Sequence, residues 1–80
     1  MKPLRCHPDT KASHIRDLGH LYQFDFDLYR CDVCNTPWVW AYSMYGSDWE
    51  VVTEEDSEKM QAIPDAELRP FMRVWASDFN

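Results

Sequence analysis

Apolar and polar residues alternate without a break from position 22 to position 29. Tyr22, Phe24, Phe26 and Leu28 interleave with Gln23, Asp25, Asp27 and Tyr29. A period of two predicts a strand with one apolar face and one mostly polar face. A second run, Trp38 to Tyr45, predicts another strand. It carries Trp38, Trp40, Tyr42 and Met44 on one side and Val39, Ala41 and Tyr45 on the other, so both of its faces are largely apolar. Gly46-Ser47-Asp48 reads as the next turn and Trp49 to Val52 as a short third strand. Links this short predict a three-stranded antiparallel meander.

The period lengthens after Val52. Thr53 is placed to cap a helix over 54–62, whose first turn sets Glu54, Glu55 and Asp56 on the positive end of the helix dipole. Pro64 ends that helix. A second, from about Ala66 to Asp78, carries the stripe Leu68, Phe71, Met72, Trp75 and Phe79. Pro70 falls inside the stripe and either opens the regular part of the helix or kinks it. Ahead of the sheet, residues 1–8 read as irregular, with Pro3 and Pro8 as breakers. Asp9 is expected to cap a short helix through about Leu18, and Gly19 to supply its left-handed stop. The expected class is α+β, a small three-stranded antiparallel sheet followed by two C-terminal helices.

Length sharpens this picture. Eighty residues make one domain with a marginal core, and chains of this size commonly need a metal, disulfides or a partner as a staple. With 45% apolar and 15% aromatic residues the composition is globular. No apolar stretch follows Met1-Lys-Pro-Leu-Arg5, and the longest apolar run, Trp38 to Tyr42, is too short for a bilayer. A cytoplasmic chain without a membrane segment is therefore expected. Three cysteines in a reducing compartment point to metal binding or reactive thiols rather than to a disulfide framework.

Cys31-x-x-Cys34 between two strands is the most specific chemical feature. Two thiolates at this spacing reach one Zn²⁺ at about 2.3 Å when the backbone folds into a tight knuckle. The knuckle needs a left-handed residue after the second cysteine, and Asn35 tolerates that conformation better than any other non-glycine residue. A tetrahedral site needs two further ligands. Cys6 is the natural third. His14, midway along the expected short helix, is the first choice for the fourth place, with His7, His20, Asp9 or a water as the alternatives. A redox role for the pair is disfavoured, because redox CxxC pairs sit at a helix N-terminus and a strand is expected after Cys34.

The segment Tyr29-Arg-Cys-Asp-Val-Cys-Asn-Thr-Pro-Trp38 resembles one knuckle and hairpin of a zinc-ribbon domain, as found in transcription factors, ribosomal proteins and small bacterial and phage proteins. The resemblance covers residues 22–52 most strongly. It implies a structural zinc and a ribbon core over about 6–52, with the helical part at 53–80 completing a single domain over 1–80. The family usually supplies Cys-x-x-Cys twice, and this chain departs from that at Cys6-His7-Pro8-Asp9.

Catalysis is not expected. No HExxH or other catalytic zinc motif is present, and three thiolates with one imidazole would close the site. The formal net charge of −6 is uneven: residues 1–30 hold Lys2, Arg5, Lys11, Arg16 and Arg30 against four aspartates, whereas residues 31–80 carry a balance of −7. That acidity disfavours phosphate backbones and suits a basic protein partner. The first reading is a protein-interaction module (an inhibitor, an immunity-type protein or an adaptor). Trp38, Trp40 and Tyr42 are its candidate anchors, with Asp48, Glu50, Glu54 and Glu55 as flanking charges. If the Trp38 face is instead the core, Val39, Ala41 and Tyr45 become the contact side, and self-association is a further possibility. The alternative reading is a nucleic-acid-binding ribbon, in which the five basic residues hold phosphates and Trp38 and Trp40 stack bases.

Overall fold

The computed structural model describes residues 12–79. They form four strands, β1 (Ala12–Leu21), β2 (Phe24–Cys31), β3 (Pro37–Ser43) and β4 (Gly46–Val51). Two helices follow, α1 (Glu54–Ala62) and α2 (Asp65–Trp75), and a 3-10 turn over Ala76–Phe79. The strands make one antiparallel sheet in chain order, β1-β2-β3-β4. The class is α+β, with the helices C-terminal to the sheet as expected. The sheet has four strands rather than three.

The added strand is β1, where a short helix was expected. Ile15, Leu18 and Leu21 recur every three residues, a spacing that imitates a helix face. Two bulges produce it. Register shifts between His14 and Arg16 and between Asp17 and Gly19 insert an extra residue at Ile15 and at Leu18, so side chains three apart share a side of the strand. Leu18 and Leu21 are buried and Ile15 packs against the core. Gly19 does adopt a left-handed φ, at 94°, but it serves the second bulge and not a helix end.

Tyr22 and Gln23, expected as strand, form the two-residue turn between β1 and β2, with φ of 55° and 72°. The paired positive φ values match the twist of the flanking strands. Farther along, Ser43 pairs with Gly46 across Met44 and Tyr45. The turn therefore lies two residues earlier than Gly46-Ser47-Asp48 suggests. The Ser43 hydroxyl holds it, accepting from Tyr45 N–H and donating to Gly46 O, each at 3.2 Å.

The helices follow the sequence closely. Thr53 caps α1, its Oγ1 accepting from Asp56 N–H at 3.1 Å. Pro64 stands at the N-cap of α2, and Pro70 lies within that helix. Leu68 and Met72 are its buried positions, as the expected stripe requires.

Both helices pack against β1 on one side of the sheet. There they close a core of Phe26, Leu28, Val39, Ala41, Met60 and Met72, each 0% or 1% exposed. Arg16 fastens this layer. Its guanidinium donates to Met60 O and Ile63 O at 2.7 Å and to Asp65 Oδ1 at 2.6 Å, satisfying carbonyls that the C-terminus of α1 leaves without helical partners. Arg30 repeats the device near the start of α1, reaching Asn35 O at 2.8 Å, Glu54 at 3.3 Å and Ser57 Oγ at 3.4 Å.

Candidate functional site

The knuckle is built by the end of β2. Cys31 closes that strand, and Asp32 to Cys34 turn away from the sheet. Asn35 takes the left-handed conformation required of it, with φ 63°. Its N–H donates to Cys31 O, and Cys31 N–H donates to Thr36 O, both at 2.9 Å. The sulfurs are held as well. Val33 N–H donates to Cys31 Sγ at 3.4 Å, and the Cys34 thiol donates to Thr36 Oγ1 at 3.3 Å. Cys31 is buried and Cys34 half-buried. The pair thus sits in the kind of tight turn that half of a tetrahedral zinc site would need.

The other half is not assembled among the described residues, where no group of three or more His, Cys, Asp or Glu side chains is placed to hold a metal. Cys6, His7 and Asp9 lie outside the described residues. The rationale for His14 loses its helix, because residue 14 belongs to β1. Its ring faces Asp27 Oδ1 at 3.0 Å and stands edge-on to Tyr29 at 5.2 Å. His20 sits at the other end of β1, opposite Asp25, whereas Ala12 lies opposite Cys31. Eight residues of strand, even shortened by bulges, separate it from the knuckle by roughly 20 Å or more.

The second site is the side of the sheet opposite the helices. Cross-strand pairing arranges it in rows. One runs Asp17, Asp27, Trp40, Trp49; its neighbours run His14, Tyr29, Trp38, Val51 and His20, Asp25, Tyr42, Ser47. Trp40 and Trp49 lie 4.6 Å apart between ring centres, Tyr29 and Trp49 5.2 Å, and Trp38 and Trp49 6.5 Å. Edge-to-face and tilted pairs at these separations are each worth about 0.5–1.5 kcal/mol beyond the area they bury. The rows hold three aspartates and no Lys or Arg. A shallow groove of 540 Å³ at one end is lined by His20, Asp25, Tyr42, Met44 and Tyr45 among others.

The expected contact residues are therefore divided. Trp38, Trp40 and Tyr42 share the open face, and Val39 and Ala41 are core. Tyr45 is exposed at the tip of the β3–β4 turn. Glu50 pairs with Val39, which sets it on the helix side of the edge strand. Glu54 is engaged with Arg30, and Glu55 with Lys59 at 3.6 Å. The charges that flank the aromatics are instead Asp17, Asp25 and Asp27. Trp49, Tyr29 and these aspartates escape a reading of the sequence because they join the face only through pairing. The period-two pattern of β2 was the available signal, since it sets Asp25, Asp27 and Tyr29 together on the side away from Phe26.

Arg16 and Arg30 lie on the helix side, apart from Trp38 and Trp40, and Lys2, Arg5 and Lys11 lie outside the described residues. No helix among the described residues is long and apolar enough to cross a membrane. Comparison with family models, with curated proteins and with solved structures returns no match for this chain.

Proposed function

We propose that the chain is a protein-interaction module, stapled by a structural zinc, that docks a basic partner protein on the open face of its sheet. The observation that carries this reading is the composition of that face. Mutually packed aromatic rings on β2 to β4 adjoin three aspartates on β1 and β2, with every described Lys and Arg placed elsewhere. Clustered Trp and Tyr supply anchor energy at protein interfaces, and surrounding charge speeds encounter and selects the partner. An inhibitor, immunity-type protein or adaptor would use such a face. The nucleic-acid alternative is weaker, because Arg16 and Arg30 are engaged with the helices and the aromatic face is acidic.

Zinc in this reading is structural. Cys31 and Cys34 supply two ligands and Cys6 a third. Ala12 opposite Cys31 brings the chain into the sheet beside the knuckle, and six residues span up to about 20 Å, so Cys6 is within reach. His14 takes the fourth place only by giving up Asp27, which makes His7 and Asp9 its direct competitors; His20 is too far away. The chemistry is ligation alone, with no catalytic step.

The test is comparative co-purification from the native host, with quantitative mass spectrometry of what the parent, Trp40→Ala and Glu54→Lys/Glu55→Lys proteins retain. A partner kept by the helix variant and lost by Trp40→Ala supports the reading. Equal recovery by a folded Trp40→Ala protein refutes it.

A further inference from the structure

The sheet has two edges, and they are treated differently. The outer edge of β1 is broken by two bulges, and the helices pack against that strand. Bulges keep an edge from pairing with other chains. The outer edge of β4 has no bulge. Its six residues run in unbroken register with β3, and no described strand pairs beyond it. Val52 N–H donates to Pro37 O at 3.1 Å, which fixes the phase of the ladder. Gly46, Asp48 and Glu50 direct their backbone groups inward to β3, so Ser47, Trp49 and Val51 direct theirs outward.

Charge guards this edge. Asp48 and Glu50 are exposed on the helix side of β4, and the chain contains no Lys or Arg between Arg30 and Lys59. Asp48 also bends to its neighbour, its Oδ1 accepting from the outward Trp49 N–H at 2.8 Å. Two copies of β4 paired about a two-fold axis at Trp49 would set Asp48 against the second copy's Glu50, twice, and like charges directly opposite destabilise a sheet. In that register the edge therefore disfavours a second copy of itself. A strand with cations at those positions would make two opposite-charge pairs and draw the Asp48 carboxylate off the Trp49 N–H. Its alternate residues would then extend the apolar stripe of Trp49 and Val51, the latter 49% exposed.

We propose that the outer edge of β4 receives an extended segment of a basic partner protein by strand addition. That segment has Lys or Arg at the two positions opposite Asp48 and Glu50 and apolar residues at the positions between. Backbone bonds to Ser47, Trp49 and Val51 supply affinity, and the alternating pattern supplies specificity. The proposal rests on the reading of the chain as a protein-binding module and assigns its partner a conformation and a sequence pattern.

The test titrates ¹⁵N-labelled protein with a six-residue peptide alternating lysine and valine, and with its glutamate–valine counterpart, following amide exchange and the indole N–H signals. The lysine peptide should slow exchange at Trp49 and Val51 and bind about tenfold more tightly than the glutamate peptide, as two pairs change sign. Asp48→Lys/Glu50→Lys should reverse that preference. Val51→Pro removes only an outward N–H, so it should abolish binding while the inner ladder stays protected. Equal binding of both peptides, no edge protection with either, or a β4-mediated dimer of the free protein at neutral pH would overturn the proposal. Shifts confined to the Trp38 and Trp40 indoles would overturn strand addition while leaving the open-face reading intact.

Discussion

The two sides of the sheet are made from the same strands and could hardly differ more. On the helix side, Phe26, Leu28, Val39 and Ala41 are fully buried, and two arginines tie the helices down through backbone carbonyls and helix-side carboxylates. On the open side, neighbouring positions of the same strands carry Trp38, Trp40, Tyr29, Asp25 and Asp27, half-buried or exposed, and the aromatic groups there lean on one another. One side spends its residues on holding the fold together. The other keeps amphipathic aromatic groups at the surface, on the side away from the helices. Aromatic side chains clustered on this face are the basis for proposing it as a docking surface.

Substitutions can break this contrast, and the largest effect is expected at the knuckle. Cys31→Ser should release zinc and most of the fold with it, since structural zinc contributes folding free energy directly. Elemental analysis and circular dichroism of the variant check this; a folded, stable Cys31→Ser protein would remove the metal from the account. On the helix side, Phe26→Ala should cost about 3–5 kcal/mol, a large share of what a domain of this size has available. Arg16→Ala should cost about 2 kcal/mol by leaving Met60 O and Ile63 O without their donor, read as a lower denaturation midpoint at unchanged slope. Trp40→Ala, on the open side, should cost only about 1 kcal/mol through its lost contact with Trp49. If Trp40→Ala destabilises as much as Phe26→Ala, the two sides are one core and the contrast fails. The smallest effect sharpens the picture from outside it: Gln23→Gly should stabilise by about 1 kcal/mol, because φ of 72° is strained for glutamine and free for glycine.

What the sequence discloses follows from how local each signal is. Thr53, Pro64 and the stripe of α2 act within a turn or two, so both helices are legible. The knuckle is legible for the same reason: Asn35 after Cys34 meets a requirement that a single residue can satisfy. The strand β1 is not. Its bulges arise from pairing with β2, and they convert a strand's alternation into the three-residue spacing of Ile15, Leu18 and Leu21. The turn at Met44 and Tyr45 is masked by Gly46, the stronger turn former beside it. The open face is only half legible. Trp38 and Trp40 announce themselves, but Asp17 and Trp49 join them across strand pairings that no single run of residues encodes. The flanking charges assigned to Glu50, Glu54 and Glu55 are near Trp38 and Trp40 in the chain and sit on the other side of the sheet.

The open aromatic face is proposed as the working surface. Its most direct test is the partner recovered from the native host by the parent and by Trp40→Ala, each first shown to keep a cooperative melting transition. A partner that the parent retains and the variant loses is expected, with dissociation faster by about tenfold or more, since truncating an interface anchor costs about 2 kcal/mol or more. A folded Trp40→Ala protein that holds the same partner for as long as the parent does would contradict it.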